Sequence, residues 1–400
     1  MPSTQPVVII GAGLVGLATA FELTRRAVRR PIVVVEKEPD ICMHQSGRNS
    51  GVLHSGIYYR PGSLKARNCR AGKEAMERFC EAHGVPYETC GKVIVAVTDE
   101  ELPALDEIHR RGVANNVVCE YVDRDGLAEF EPEARGVRAL HVPETGIVDF
   151  KQVGAKLAEL VRQAGGAIRT GTPVHGVARD QGGFVLETAV GPISAGVLVN
   201  CAGLQSDRIM ALCGRRPPAR IVPFRGEYYV VSPQAEHLCR NLIYPVPNPK
   251  FPFLGVHFTR MIRGGVECGP NAVLAWAREG YRKSNIRWRD VWETMAYPGF
   301  LKVAARYWRV GAGELYRSLS KQAFVKALQR LVPAIRAAHL VARRSGVRAQ
   351  AIAPDGRMVD DFLIKRQDRV VHVCNAPSPA ATSALNIGAL IADHVQEFLE

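Results

Sequence analysis

Four consecutive apolar residues, Val7 to Ile10, run into Gly-Ala-Gly-Leu-Val-Gly at positions 11–16. The apolar spacing then turns helical over residues 14–26. A second continuous apolar run, Ile32 to Val35, ends at Glu36. Short continuous runs joined by a helical period predict a buried strand, a tight turn, a helix and a second parallel strand.

The same grammar recurs downstream. Residues 63–83 read as a helix capped by Ser63 and stopped at Gly84. Residues 92–97 and 117–122 read as strands, and 99–111 and 151–164 as helices. Strand-like runs at 174–178, 184–188 and 196–200 lead into Cys201-Ala202-Gly203 and a helix from about 205, which repeats the logic of the opening unit. From 220 to 270 the runs shorten and alternate (221–224, 228–231, 242–244, 253–258, 266–268), with Pro and Gly between them, as in an antiparallel sheet. Residues 285–335 look helical with a break at Pro298-Gly299. Strand-like runs at 346–352 and 370–373 precede a last helix that ends at Glu400. The predicted class is mixed α/β (α+β). A Rossmann-like dinucleotide domain is drawn from residues 1–90, 145–215 and 345–400, and a cap or substrate domain from 91–144 and 216–344 is inserted between its pieces.

The opening turn carries chemistry. Gly11 turns the chain off the strand, Gly13 leaves room for a pyrophosphate, and Gly16 lets the helix pack on the strands. The helix N-terminus offers N–H groups and partial positive charge. Glu36, twenty residues past Gly16, suits the two ribose hydroxyls and repels a 2′-phosphate, which disfavours NADP. Lys37, Ser46, Arg48, Asn49, Ser50 and Gly51, in the polar stretch that follows, are candidate cofactor contacts. So are Ala202, Gly203 and the residues Pro379, Ala380, Thr382 and Ser383 before the last helix. That helix would point its positive end at an anionic edge of the cofactor.

Composition narrows the classes. A hydrophobic content of 47% supplies a core, yet no apolar run is long enough to span a bilayer. Nothing at the N-terminus resembles a signal peptide, which predicts a cytoplasmic protein. Ten cysteines with no CxxC pair read as reduced thiols and give no metal site. The net charge of +13 is spread widely without a nucleic-acid motif, so nucleic acid is disfavoured, while attraction of a small dianion is compatible with it.

The stretches SGRNSGVLHSGIYYRPGSLKARNC (46–69), CGKVIVAV (90–97), TGIVDF (145–150), VPFRGEYY (222–229), IYPVPNPKFPFLGVHFTRM (243–261), SGVRAQA (345–351) and NAPSPAATSA (375–384) carry a resemblance along nearly the whole chain. Together they resemble the L-2-hydroxyglutarate dehydrogenase/oxidase family, within the D-amino-acid-oxidase-like FAD enzymes. Arg263 departs from that pattern, which has an acid there, and reads as a surface turn. The resemblance implies bound FAD and oxidation of a 2-hydroxy dicarboxylate, first L-2-hydroxyglutarate, by hydride transfer to the flavin. It also implies a quinone or oxygen as acceptor. An amino-acid or amine oxidase of the same fold is the rival reading. With a single glycine-rich fingerprint, the acceptor must visit the flavin itself.

Such chemistry needs a base, an in-line hydride path and anchors for the acid. His54 and His257 are the candidate catalytic residues, with His54 preferred as base and His257 as orienting group or alternative base. Arg348 resembles the carboxylate-binding arginine of the wider group. Tyr58, Tyr59, Arg225, Tyr228 and Asn271 are candidates for the second carboxylate and the hydroxyl. All four tryptophans, 276, 288, 292 and 308, sit in one Arg/Lys-rich stretch. Its favoured reading is a domain core with a solvated basic face. The alternative is a peripheral seat on the inner face of a membrane.

Overall fold

The computed structural model describes residues 5–247 and 254–400. Its central sheet has six strands, in the order Leu363–Gln367, Val370–Asn375, Val197–Asn200, β1 (Val7–Ile10), β2 (Ile32–Val35) and Ala167–Arg169. All pairings are parallel except that of the edge strand Leu363–Gln367. The strands come from three separated stretches of sequence. Their continuous apolar runs follow from burial on both faces. One face packs on α1 (Leu14–Arg25) and on the helices Leu64–His83, Phe150–Gln163 and Ala384–Gln396. The other meets a three-stranded sheet of residues 174–195. The first and last helices touch closely: a Cβ at Gly388 would lie 2.6 Å from the carbonyl carbon of Ala18.

A second sheet of eight strands runs Leu340–Ala342, Tyr229–Val231, Val266–Gly269, His257–Arg260, Leu242–Pro245, Lys92–Ala96, Arg138–Val142 and Glu120–Val122. It is antiparallel as expected, with one exception: Leu242–Pro245 and Lys92–Ala96 pair parallel, because they arrive from distant parts of the chain rather than through a hairpin. Phe253, the start of one expected strand, lies outside the described residues, and the strand there begins at His257. Alternation divides the sheet. Val93, Val95, Ile243 and Phe258 pack against Phe324, Val325 and Leu328. Lys92, Tyr244 and His257 alternate with those residues and so take the other side.

The strand Gly346–Ile352 does not join the central sheet. It pairs with Arg220–Gly226, which also holds Val273–Leu274. Val347 and Ala351 are buried there with Ile221 and Ala275. The carrier of Arg348 therefore belongs to a sheet it shares with residues 220–274.

The tryptophan-rich stretch forms the helices Trp288–Met295 and Pro298–Leu319. A core does form there around Tyr297, Phe300 and Val303, but the tryptophans expected in it are not part of it. Trp288, Trp292 and Trp308 are 77%, 74% and 63% exposed. The long helix buries Gly299, Phe300 and Val303 and turns Leu301, Trp308, Leu315 and Leu319 outward, at helical spacing. Among the described residues no helix is long and apolar enough to cross a membrane.

Candidate active site

A cavity of about 1070 Å³ runs from Glu36 at the end of β2 to His257 on the eight-stranded sheet. It lies at the carboxyl ends of the parallel strands, where open α/β sheets place their ligands. Gly11, Gly13, Glu36, Lys37, Ser46, Arg48, Asn49, Ser50, Ala202, Gly203, Pro379, Ala380 and Thr382 all line it.

The dinucleotide end is shaped by backbone. Gly11 has φ +108°, and a Cβ there would sit 2.6 Å from the carbonyl oxygen of Cys201, so only glycine fits. Gly13 caps α1 without any side-chain cap. Ser46 Oγ accepts from the Leu14 N–H at 2.9 Å, which ties the 45–51 loop to the helix N-terminus. Glu36 is buried and accepts from the N–H of Ala12 at 2.8 Å and of Glu38 at 3.0 Å. Its carboxylate is thus held at the end of β2 with further lone pairs for ribose hydroxyls. Glycines at the turn, a helix N-terminus and a fixed carboxylate together fit a dinucleotide with free ribose hydroxyls.

Several expected cofactor contacts are spent on the protein. Lys37 pairs with Glu38 and, at 3.0 Å, with Glu279. Arg48 donates to the carbonyls of Met43 and Ser345 and stacks over the Tyr281 ring. Asn49 donates to the carbonyls of Gln45 and Ser46 and accepts from the Gly51 N–H. These side chains shape the loop. Gly16, Gly51 and Ser383 do not line the cavity. A Cβ on Gly16 would fall 2.0 Å from the Gly11 carbonyl oxygen, so its task is packing. Ser383 is the N-cap position of the last helix. Thr382 accepts from the His54 N–H at 3.2 Å and donates to the Val52 carbonyl at 3.1 Å, joining that helix entry to the segment that carries His54.

The other end gathers His54, His257, Tyr58, Tyr59, Tyr228, Tyr244, Lys65 and Arg348. His257 is buried, and its Nδ1 lies 2.9 Å from the Gly255 carbonyl oxygen. A carbonyl only accepts, so Nδ1 carries the proton and Nε2 is bare. The Tyr244 ring packs on it, with centroids 4.0 Å apart. Burial, then the cations Lys92 and, for His257, Arg348, push both histidines down to about 3. Both rings are neutral at pH 7. Arg348 acts on His257, Tyr228 and Tyr244.

Arg225 and Asn271 fall outside the cavity. Phe224 is the register partner of Arg348, so the neighbouring Arg225 projects to the opposite face. There it pairs with Glu227 at 3.1 Å, and Asn271 donates to the same carboxylate at 3.0 Å. The two form a buried structural cluster rather than a substrate anchor. Arg263 is exposed and pairs with Asp149.

Lys65, Lys92, Tyr244 and Gln45 escaped the sequence reading. Lys92 opens the apolar strand KVIVA, where a lysine ordinarily marks a solvated strand end; here it is buried. Tyr244 was one apolar position of a strand, and only its pairing opposite His257 brings it to the cavity.

Comparison with known proteins agrees with this architecture. The family described as FAD dependent oxidoreductase matches residues 6–394. The chain is 48% identical to the L-2-hydroxyglutarate dehydrogenase of Indibacter alkaliphilus, covering 97% of this chain and 98% of that protein. It is 42% identical to that of Escherichia coli K12, covering 98% and 93%. It is also 42% identical to the human mitochondrial L-2-hydroxyglutarate dehydrogenase, covering 100% and 90%. Among solved structures, an FAD-bound L-alpha-glycerophosphate oxidase from Mycoplasma pneumoniae superposes with a TM-score of 0.80 at 22% identity, covering 99% of this chain and 95% of that one. Glycine oxidase from Geobacillus kaustophilus gives 0.72 at 20%, covering 98% and 95%. The chain belongs to the FAD dependent oxidoreductase family and, within it, groups with the L-2-hydroxyglutarate dehydrogenases. FAD is its cofactor.

Proposed function

We propose that this protein oxidises L-2-hydroxyglutarate to 2-oxoglutarate. The observation that carries the reading is the neutral His54/His257 pair beside Arg348, at the far end of a dinucleotide cavity, in a chain whose full-length relatives bear that activity in their names.

Gly11, Gly13, Glu36 and the N-terminus of α1 would hold FAD along the cavity, where it would supply the acceptor for the hydride that leaves C2. The residues of the chain do the rest. Arg348 holds the C1 carboxylate through its planar fork. Nε2 of His257, bare because Nδ1 donates to Gly255, takes the hydroxyl proton as C2–O becomes a carbonyl. His54 presents its N–H to the same oxygen. This exchanges the roles first preferred for the two rings, since among the described residues only the tautomer of His257 is fixed by a protein acceptor. The buried tyrosines exclude water around the reacting carbon. The measurement is 2-oxo acid formation: L-2-hydroxyglutarate should give 2-oxoglutarate with an artificial electron acceptor, and glycine and D-alanine should give none. The opposite pattern would select the rival reading, an amino-acid oxidase.

A lipid-soluble quinone fits as acceptor. Trp288, Trp292 and Trp308 stand exposed on two successive helices with the exposed residues Arg287, Arg289, Lys302, Arg306 and Arg309 among them. Indole rings with adjacent cations suit the interface of an anionic bilayer, where long basic side chains reach the headgroups. The peripheral seat is supported by that exposure, which the alternative of a tryptophan core does not explain.

A further inference from the structure

Lys92 is an unusual residue at this site. It is 2% exposed at the start of the Lys92–Ala96 strand. Its Nζ lies 4.7 Å from the centroid of the Tyr58 ring and 5.2 Å from that of Tyr244. No carboxylate among the described residues reaches ion-pair distance. Glu144, which favours its charge from further off, is taken by Arg70. The hydroxyls of both flanking tyrosines are also buried without a hydrogen-bond partner among the described residues, although the Thr259 side chain lies beside that of Tyr244. Both tyrosines line the cavity. A buried cation without a carboxylate and a buried, unpartnered Tyr58 hydroxyl are unfavourable unless something anionic satisfies them.

The surroundings say where the anion would lie. Arg348 acts on Tyr228, Tyr244 and His257, whereas Lys92 acts on His54 and His257. The histidine pair therefore lies within reach of two different cations. Lys65 also lines this end, over the Tyr59 ring at 4.8 Å, but it has Asp360 and Asp361 to balance it. Burial pulls Lys92 down to about 7, and an arriving carboxylate would restore its full charge.

We propose that the hydroxyls of Tyr58 and Tyr244, backed by the ammonium of Lys92, form the subsite for the substrate's second carboxylate and thereby select dicarboxylic over monocarboxylic 2-hydroxy acids. The inference rests on the reading of this cavity as a 2-hydroxy acid site. It assigns the dicarboxylate preference to residues on the eight-stranded sheet and the 52–59 segment, with Lys92 acting through the tyrosines rather than lining the cavity itself.

The test uses the FAD-loaded protein and two unreactive acids, glutarate and butyrate, titrated against the flavin absorption spectrum. The native protein should bind glutarate at least about 10-fold tighter than butyrate, as one good charge-assisted contact allows. Lys92→Met should erase that preference by weakening glutarate about 10-fold or more and leaving butyrate unchanged. An unchanged glutarate affinity, or an equal loss for both acids, would overturn the assignment. If Lys92→Met does not retain FAD, the pair Tyr58→Phe and Tyr244→Phe decides: selective weakening of glutarate supports the subsite, and no change removes it. A native protein that binds glutarate no better than butyrate would instead sink the underlying reading of the cavity.

Discussion

Nδ1 of His257 lies 2.9 Å from the carbonyl oxygen of Gly255, and that single contact fixes which nitrogen of the ring can accept a proton. With Nδ1 donating there, Nε2 carries no proton before any substrate arrives, and under the proposed function no tautomer exchange precedes reaction. His257→Gln should therefore lower the rate of anaerobic flavin reduction by about 100- to 10,000-fold, the range for a lost general base. His54→Gln should cost less. The reverse ranking would return the base to His54.

Arg348 and Arg225 stand on paired strands but point to opposite faces, and their variants should separate accordingly. Arg348→Ala should raise KM for the hydroxy acid about 10- to 100-fold, the worth of a charge-assisted carboxylate contact, with FAD retained. Arg225→Ala should leave KM alone. It strips Glu227 of its buried partner, leaving only the more exposed Lys283 at 3.7 Å, and should cost about 3 kcal/mol in urea unfolding, as for other broken buried pairs. A KM effect from Arg225 with stability intact would contradict the assignment of its face.

Acid should destabilise the protein well before its surface carboxylates are all protonated. His257 and His372 are fully buried, with native pKa values of about 3 and about 4, both lowered chiefly by burial. Between about pH 6 and 5 the unfolded chain binds a proton at each while the native state does not, so stability falls as pH falls, by about 1.4 kcal/mol per pH unit for each histidine. Buried Glu267, raised to about 7, works in the opposite sense and offsets one of them above about pH 4.5. Urea midpoints of the FAD-loaded protein should drop from pH 6.5 to 5, and His372→Gln should flatten the drop. A midpoint independent of pH in that range would contradict the burial of these rings as neutral groups.

The exposed indoles predict a membrane readout. The native protein should co-sediment with vesicles containing anionic phosphatidylserine or phosphatidylglycerol and should bind neutral phosphatidylcholine vesicles weakly. Changing Trp288, Trp292 and Trp308 together to Ser should abolish sedimentation while turnover with a soluble dye continues. Retained binding by the triple variant would exclude this face as the seat.

The parts of this molecule that were legible in its sequence are those governed by local rules. Residues 7–36 announced strand, turn, helix and carboxylate because each glycine answers a backbone constraint within that stretch. Ser63 and Gly84 marked both ends of the Leu64–His83 helix for the same reason. His257 could be aimed because Val256 and Phe258 flank it in a period of two, and both do pack into the core on the far side. What depended on distant pairing was not readable. Arg225 and Arg348 look alike as arginines after a glycine-rich or aromatic stretch, and only the register with Phe224 separates their faces. Lys92 resembles a solvated strand end until Tyr58 and Tyr244 close over it. The tryptophans read as core because clustered indoles usually are, and helical spacing alone does not say which stripe of Pro298–Leu319 meets the protein.

The most direct test of the whole account is anaerobic stopped-flow absorbance of the FAD-loaded protein mixed with L-2-hydroxyglutarate, D-2-hydroxyglutarate, glycine and D-alanine in separate shots. Rapid bleaching of the oxidised flavin by L-2-hydroxyglutarate, with none by the other three, is the predicted result. A flavin that stays oxidised with L-2-hydroxyglutarate, or bleaches with an amino acid instead, would contradict it.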